Sequence, residues 1–491
     1  MSQKISHSNQ MNKTAPAEKL RILFVSPEVT PFAATGGLGE VAGSLPEALN
    51  RQRKIPCDCR VIMPLYRPAK EKIGDKLTFL GSTEVPLCWR SQYAGLFSLK
   101  TGYTTYYFID NEYYFDRDGL YGHYDDGERF AFFSKAVFEV LGLMDFVPDI
   151  IHANDWQSAL VPVFQTAVYR RTFMKTVFTI HNVQYQGQYG DDIYKSVLDI
   201  PEDARQFVAM NGGVNYMKGG IECANQVTTV SPTYAEELSD PFFAYGMHEI
   251  ISRNGYKMRG ILNGINVKAY DPAKDLLIAA NYDRGDIRGK NICKHAIQEE
   301  LGLPVCDAPV MIMISRLARG KGIDLMTPIL DRVLSENDMQ FVLLGTGEQD
   351  YEYFFRGLEE RHPDRCRALI CFDPALSHRL YAGADMIVVP SRSEPCGLTQ
   401  MIGCRYGTVP IVRETGGLKD SIKDCSLGEG NGFVFAGYSP DTLRESIEKA
   451  LSLYRQPDNW KKLTQYDMSV DFSWGLSAKQ YADMYKELVK G

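Results

Sequence analysis

The sequence predicts an α/β fold in which two Rossmann-like, doubly wound domains face a central cleft. Three observations lead to this prediction. A chain of 491 residues is too long for one ordinary hydrophobic core. Short apolar runs alternate with helical patterns, as in parallel sheets that helices cover on both faces. This alternation occurs in two separate series along the chain.

The apolar runs are near-continuous rather than alternating, which is typical of strands buried on both faces of a parallel sheet. Helical patterns lie between them, such as those that begin at Glu128 and Thr442. We expect each series to form one sheet. The runs begin at Arg21, Thr104, Asp149, Thr176 and Gln226 in the first series, and at Pro309, Gln340, Ala368, Asp385 and Val409 in the second.

Changes in composition set the expected domain limits. Residues 1–18 are polar and lack the apolar segment of a secretory signal, so we expect a flexible tail there. The stretch from about 253 to 290, between the two series, is irregular and polar. We therefore expect the first domain at residues 19–258 and the second at residues 259–470.

The composition excludes several classes of protein. Hydrophobic residues make up 44% and charged residues 23%, which is typical of soluble globular proteins. A formal net charge of -7 disfavours a general nucleic-acid or anionic-membrane binder. No apolar run reaches the roughly 18 residues that a membrane span needs. The 11 cysteines lack the paired spacing of a structural zinc site, which favours reduced thiols in a cytoplasmic protein.

Two short segments of the sequence echo each other. "TGGL" follows the first strand and appears again after what reads as the last strand of the second series. A Gly-Gly turn from a strand into a helix presents free backbone N–H groups and a positive dipole end. One such turn is equally consistent with a plain tight turn, but one in each domain favours a bilobed anion site. The residues concerned are Thr35, Gly36 and Gly37, and Thr415, Gly416 and Gly417.

Charged side chains follow predicted strands of the second series. Arg316 and Lys321 suit a diphosphate, because arginine binds phosphate bidentately and lysine adds a point charge. A solvated basic turn is the alternative. Glu394 lies on a loop where a carboxylate can accept hydrogen bonds from sugar hydroxyls, and Gly397 allows close backbone approach. The alternative there is a structural turn with a helix N-cap.

Polar residues also end strands of the first series. His181, followed by Asn182, is suited to bind a sugar hydroxyl or to act as an acid or base, although a lone histidine is more often structural. Asp155 is in a similar position and equally suits a helix N-cap. Asp116 and Asp118 form a D-x-D pattern that some nucleotide-sugar enzymes use for a metal, but the following residues favour a turn.

Several ordered segments are typical of one enzyme family. They begin at Gly119 ("GLYGHYDDGERFAFFSKA"), Thr176 ("TVFTIHNVQYQGQYG"), Val227 ("VTTVSPTYAEEL"), Gly260 ("GILNGI") and Leu380 ("LYAGADMIVVPSRSEPCGLTQ"). On these segments the chain, from about residue 21 to 488, resembles the bacterial glycogen synthase and plant starch synthase family. That family has the two-domain GT-B glycosyltransferase fold, and residues 471–491 resemble its C-terminal helix, which crosses back to the first domain.

The resemblance implies transfer of glucose from ADP-glucose to the non-reducing end of an α-1,4-glucan, with retention of configuration and without a metal or other cofactor. The expected partners are the nucleotide sugar and the glucan, and the oligomeric state stays open. The residues assigned to catalysis on this basis are His181, Arg316, Lys321 and Glu394. The residues assigned to substrate binding are Thr35, Gly36, Gly37, Tyr121, Asp155, Asn182, Asn263, Cys396, Gly397, Leu398, Thr415, Gly416 and Gly417.

Two departures from the family pattern keep alternatives open. Ala34 stands where the family usually has a lysine that contacts the donor phosphate, and Asn266 stands where it usually has an aspartate. The loss of the lysine leaves open a related GT-B enzyme that uses UDP-glucose, and a glucan-binding regulator without catalysis. A glucan phosphorylase is disfavoured, because no segment resembles its pyridoxal phosphate site.

Overall fold

The computed structural model describes residues 19–171 and 173–490, so the tail expected at residues 1–18 lies outside the described residues. The strands are β1 (Leu20–Val25), β2 (Cys57–Pro64), β3 (Thr78–Leu87), β4 (Arg90–Thr101), β5 (Thr104–Asp110), β6 (Ile150–Asn154), β7 (Lys175–Ile180), β8 (Gln188–Tyr189), β9 (Ala209–Met210), β10 (Gly213–Asn215), β11 (Gln226–Thr229), β12 (Met258–Gly260), β13 (Val310–Ile314), β14 (Gln340–Leu344), β15 (Cys366–Leu369), β16 (Met386–Val389), β17 (Val409–Arg413) and β18 (Phe433–Phe435).

The helices lie mostly between these strands. They are α1 (Gly37–Asn50), α2 (Arg67–Ile73), α3 (Glu112–Phe115), α4 (Asp126–Glu139), α5 (Leu160–Phe164), α6 (Asp191–Ile193), α7 (Arg205–Val208), α8 (Tyr216–Cys223), α9 (Pro232–Glu237), α10 (His248–Arg253), α11 (Arg288–Glu300), α12 (Ile323–Met326), α13 (Leu330–Glu336), α14 (Gln349–Arg361), α15 (Pro374–Gly383), α16 (Thr399–Arg405), α17 (Gly416–Ser421), α18 (Pro440–Tyr454), α19 (Pro457–Asp467) and α20 (Trp474–Lys490). Short 3-10 or π turns extend several of them.

The first series of strands forms a nine-stranded sheet in the order β12-β11-β7-β6-β1-β2-β5-β4-β3. We call residues 20–260, which contain this sheet, the N-lobe. Its strands from β12 to β5 run parallel, and their central members are fully buried, as at Phe24 and Ile151. β4 is antiparallel to both of its neighbours and turns the edge of the sheet into a meander. A small antiparallel sheet of β8, β10 and β9 is added beside it.

The second series forms a six-stranded parallel sheet in the order β15-β14-β13-β16-β17-β18. We call residues 310–467 the C-lobe. Counted from β13, this order is 3-2-1-4-5-6, the doubly wound arrangement in which ligands bind beyond the carboxyl ends of the strands. The predicted α/β fold with two Rossmann-like domains is therefore confirmed. One detail of the prediction was wrong. The second "TGGL" segment was expected after the last strand of the second series, but a further strand, β18, follows it.

Two crossings of the chain join the lobes. Ile265 donates its backbone N–H to the carbonyl of Phe472, 2.8 Å away, so the outgoing and returning segments run side by side. Beyond this point α20 packs on the N-lobe, where the Tyr485 hydroxyl lies 2.6 Å from Nδ1 of buried His152. None of the helices in the described ranges combines the length and the hydropathy that a membrane crossing requires.

Candidate active site between the lobes

The candidate residues come from loops that follow the carboxyl ends of parallel strands in both sheets. Asp155 follows β6 directly, and His181 follows β7. In the C-lobe, Arg316 follows β13 after one residue, and Thr415 follows β17 after one residue. Because parallel strands bring their carboxyl ends to the same edge, the sequence separation between these residues disappears in the fold.

The first "TGGL" loop surrounds a buried carboxylate that the sequence did not reveal. Glu28, which is 5% exposed, accepts hydrogen bonds from the backbone N–H groups of Thr35 (2.5 Å) and Gly36 (3.2 Å). It also accepts from the Tyr121 hydroxyl at 3.0 Å. A Cβ atom built on Gly36 or Gly37 would meet no atom of other described residues within 4 Å, apart from its chain neighbours. The loop therefore holds an internal anion on one side and leaves open space on the other.

Asp155 organises the neighbouring loop after β7. It adopts a left-handed backbone conformation with φ of 55°, and its Oδ1 accepts from the backbone N–H groups of His181 (2.7 Å) and Asn182 (3.3 Å). Burial raises the pKa of the Asp155 carboxyl to about 7, although these two hydrogen bonds oppose the shift. Asn182 Oδ1 accepts from Gln184 N at 3.0 Å, which closes the turn.

The hydrogen bonds around His181 determine which of its ring nitrogens carries the hydrogen. Asn154 donates through Nδ2 to the carbonyls of Val25 (3.0 Å) and His152 (3.3 Å), so its Oδ1 faces His181 Nε2 at 3.0 Å. An amide oxygen only accepts, which places the hydrogen on Nε2 and leaves Nδ1 as an acceptor. Burial lowers the pKa of His181 to about 3. The ring is thus neutral at pH 7 and suited to accept a hydroxyl hydrogen bond.

The C-lobe contributes two cations and a carboxylate. Lys321 Nζ lies 2.7 Å from Glu394 Oε2, which also accepts from Ser391 Oγ at 2.8 Å. Glu394 is 8% exposed, whereas Arg316 is exposed and its guanidinium has no hydrogen bond or ion pair to other residues of the described ranges. The Arg392 N–H donates to the Gly320 carbonyl at 3.0 Å and ties the two loops together. A diphosphate bound at this edge would find one guanidinium that is unpaired among the described residues and one ammonium that is already paired with Glu394.

The second "TGGL" loop is packed rather than open. Glu237 Oε1, from the N-lobe, accepts from Thr415 Oγ1 at 2.8 Å and from the Gly416 N–H at 3.0 Å. A Cβ on Gly416 would lie 2.0 Å from the Glu394 carbonyl oxygen, and one on Gly417 would lie 2.2 Å from the Cys396 carbonyl oxygen. This loop therefore serves a contact between the lobes, and the expected anion site there is already filled by a carboxylate.

The remaining predicted residues lie at the junction of the lobes. Asn263 is 5% exposed, and its Oδ1 has no hydrogen-bond partner within the described chain. Its backbone N–H faces the sulfur of Cys396, whose pKa burial raises to about 12, so that thiol stays protonated. Gly397 has φ of 73°, as a tight turn requires. Leu398 instead helps to line a small cavity beside Trp474, next to the chain crossing at Ile265.

The D-x-D pattern is a turn closed by an ion pair. Arg67 Nε donates to Asp116 Oδ1 at 2.5 Å, and one of its terminal nitrogens donates to Asp118 Oδ1 at 2.6 Å. Both carboxylates are thus engaged by one guanidinium. Over residues 19–171 and 173–490 no group of three or more His, Cys, Asp or Glu side chains has the arrangement of a metal site.

The structure contains an open cavity of about 430 Å³ that was not predicted. Most of its lining residues follow His181 closely in the sequence. The rings of Tyr185 and Tyr245 are about half exposed at its wall. Flat rings with amide groups around them match the faces and hydroxyl edges of sugar rings. The signal in the sequence is the repeated Gln-Tyr pattern after His181. The lining residues are Trp156, Gln184, Tyr185, Gln186, Gly187, Gln188, Tyr189 and Tyr245.

Comparisons with known protein families match most of the chain. Residues 21–253 match the model of the starch synthase catalytic domain. Residues 299–465 match the model of glycosyl transferases group 1. The two matches cover the N-lobe and the C-lobe respectively, each with its own set of candidate residues.

Individual relatives extend over nearly the full length. Glycogen synthase of Clostridium perfringens is 43% identical over 480 residues, which cover 96% of this chain and 99% of that protein. Glycogen synthase of Bacillus subtilis is 42% identical with the same coverage. Among solved structures, the catalytic domain of starch synthase IV from Arabidopsis thaliana, bound to ADP and acarbose, matches with a TM-score of 0.87 and 33% identity over 96% of this chain and all of that one.

Proposed function

The chain belongs to the glycogen and starch synthase family of retaining glycosyltransferases, and we propose that it transfers glucose from ADP-glucose to the non-reducing end of an α-1,4-glucan through the residues of the lobe interface. Membership of this family indicates the reaction and implies ADP-glucose as the donor. The side chains described above supply the roles proposed for this chain.

One observation carries the assignment of the donor site. The exposed Arg316 and the Lys321–Glu394 pair lie at the carboxyl edge of the C-lobe sheet, and the N-lobe covers the loop that holds Glu394. Breaking the anomeric C–O bond leaves negative charge on the departing diphosphate. Fixed cations stabilise that charge as it develops, and they do so best where water is excluded.

Retention of configuration fits the protonation states of the nearby groups. A neutral His181 with a pKa of about 3 does not take a proton at pH 7. Glu394 is engaged by Lys321 and Ser391, so it is better suited to hold sugar hydroxyls than to attack carbon. We therefore propose attack on the same face as the departing diphosphate, with a phosphate oxygen accepting the acceptor's proton, and no metal or other cofactor.

We propose that the acceptor glucan enters through the cavity lined by Tyr185 and Tyr245. The cavity opens next to the loop that carries His181 and Asn182, so a chain end seated there would approach the donor glucose. The catalytic domain of starch synthase IV that this chain resembles was solved with ADP and acarbose, a nucleoside diphosphate and an oligosaccharide analogue. Those ligands match the two halves of the proposed site.

The direct test is transfer of radiolabelled glucose to glycogen, with ADP-glucose and UDP-glucose side by side and no added metal. We expect incorporation that prefers ADP-glucose. Preference for UDP-glucose would make the chain a sister enzyme with another donor. Binding of glycogen without transfer from either donor would favour a regulator that has lost catalysis, the alternative raised by Ala34.

The roles of the two cations have a separate test. Arg316→Ala and Lys321→Ala should each lower kcat by about 10²–10³, the typical cost of removing one group that stabilises transition-state charge. Arg319→Ala is the matched control, because Arg319 lies exposed on the same turn. Near-normal rates in both variants would contradict the assignment.

We also propose a cytoplasmic location, since all 11 cysteines are free thiols.

A further inference from the structure

One short helix of the N-lobe, α9, makes three separate contacts to the C-lobe. Ser231, the residue before the helix, donates its Oγ to the Pro395 carbonyl at 2.7 Å. Thr233 donates its backbone N–H and its Oγ1 to the carboxylate of Asp420, at 2.9 and 2.7 Å. At the other end of the helix, Glu237 receives the two hydrogen bonds from the second "TGGL" loop.

On the C-lobe side one of these contacts ends on the loop that carries Glu394, and the other two end on residues 415–420, which pack against that loop. The Gly417 N–H donates to the Glu394 carbonyl at 3.1 Å, and Gly416 leaves no space for a side chain against that same carbonyl. Gln400 Nε2 donates to the Cys396 carbonyl at 3.1 Å and to Ser421 Oγ at 3.0 Å. Residues 394–397 and 415–421 are thus one packed unit, and α9 contacts it at three points.

On the N-lobe side the same helix holds the loop that carries His181. The Val183 N–H donates to the Tyr234 hydroxyl at 3.2 Å, and the Tyr234 ring is 1% exposed. Val183 is two residues from His181, so α9 contacts both loops that the proposed function places on the donor glucose. The Oε2 atom of Glu237 is buried without a hydrogen-bond partner among the described residues, a feature that packing alone would not favour.

We propose that α9 is a positioning element for transfer, in which Ser231, Thr233 and Glu237 set the Glu394 loop against the His181 loop. None of the three is a catalytic residue; each acts through the loop that it contacts. The inference rests on the proposed function, because it presumes that both loops hold the donor glucose. Groups from two lobes are aligned for reaction only when the lobes hold one relative position. A misplacement of about 1 Å can lower the rate by about 10²-fold.

The test removes one hydroxyl of the contact. Thr233→Val keeps the volume of the side chain and the backbone hydrogen bond to Asp420 but loses the hydrogen bond from Oγ1, whereas Thr233→Ser keeps both bonds. We expect Thr233→Val to lower kcat for transfer by about 10- to 100-fold. We expect calorimetric affinity for ADP within about twofold of wild type, since Arg316 and Lys321 are untouched. The Thr233→Ser variant should restore most of the rate.

Thr176→Val is the matched control. Thr176 is a buried threonine at the amino end of β7, and its hydroxyl bonds Asn225 at 3.2 Å, far along the strand from the site. It should lose stability without the selective loss of kcat. If Thr233→Val does not fold, Asp420→Asn weakens the same contact from the C-lobe. Wild-type rates in Thr233→Val or Asp420→Asn would overturn the inference, whereas a wild-type protein without transfer would reject the proposed function itself.

Discussion

The two "TGGL" loops share four residues and each leads into a helix, α1 in the first and α17 in the second, yet their surroundings differ. In the first, Thr35 and Gly36 are exposed, and Gly37 faces open space. In the second, Thr415 is fully buried, and Gly416 lies against the backbone of the Glu394 loop. One glycine pair faces open space, whereas the other leaves room for a neighbouring chain segment.

The carboxylates at the two loops sharpen this contrast. Glu28 comes from the same lobe as the loop that it contacts, and its other partner is Tyr121. Glu237 comes from the opposite lobe, and burial raises its pKa above the usual value. The first carboxylate therefore shapes a site within one domain, while the second joins two domains. A repeated motif predicts a local backbone shape, and its surroundings decide the use of that shape.

The largest effect is expected from alanine at the second loop. Gly416→Ala puts a Cβ 2.0 Å from a carbonyl oxygen at φ of 44°, so crowding and left-handed strain together should cost about 3 kcal/mol. In a domain of this size that lowers the melting temperature by about 6–12 °C. Differential scanning calorimetry measures it directly.

Gly37→Ala is the counterpart in the first loop. It should leave the melting temperature almost unchanged, because within the described part of the chain the new Cβ meets nothing within 4 Å. It should instead raise the KM for the donor, since the methyl group would point into the space left for the phosphates. Equal losses of stability in the two variants would remove the contrast between the loops.

The next effect is expected from the two threonines. Thr415→Val removes a buried hydrogen bond to Glu237, whose second oxygen already lacks a partner among the described residues, and should cost about 1.5–3 kcal/mol. Thr35→Val also removes a hydroxyl contact, to Glu28 at 3.1 and 3.2 Å, but Thr35 is exposed and water can take the place of its hydroxyl, so the cost should be smaller, about 0.5–1 kcal/mol. Thermal unfolding of both variants checks this, and a Thr35→Val loss as large as that of Thr415→Val would contradict it.

The fold was predictable where strands are covered on both faces. Continuous apolar runs marked β1, β6, β7 and most of the C-lobe strands. They did not mark the β3–β4 meander, because a strand at the edge of a sheet alternates exposed and buried side chains, and Phe79 there is 53% exposed. They also missed β2, where Asp58 and Arg60 interrupt the pattern and pair with each other.

The site was predictable to the extent that it depends on strand ends. His181, Asp155 and Arg316 lie where the parallel topology puts them. Glu28 and Glu237 were missed, because their partners lie as far as 93 and 179 residues away in the sequence and no local pattern marks such contacts. Asn266, one of two departures from the family, caps a turn by accepting from the backbone at residues 268 and 269.

The smallest effect concerns the other departure, at the first loop. Ala34 is exposed and precedes the open glycines, so Ala34→Lys places a cation at the edge of the space proposed for the donor phosphates. We expect the KM for ADP-glucose to fall about fivefold, or ~1 kcal/mol, at low salt, and less at high salt because exposed charges are screened. Steady-state kinetics at two ionic strengths measures it.

Ala34→Gln is the uncharged control and should leave the KM near that of the wild type. An unchanged KM in Ala34→Lys would mean that the first loop does not face the phosphates. The structural contrast between the open loop and the packed loop would then have no counterpart in donor binding. A KM decrease that disappears at high salt would instead support a place for this loop in donor binding, because a charge within about a Debye length of the diphosphate produces that dependence.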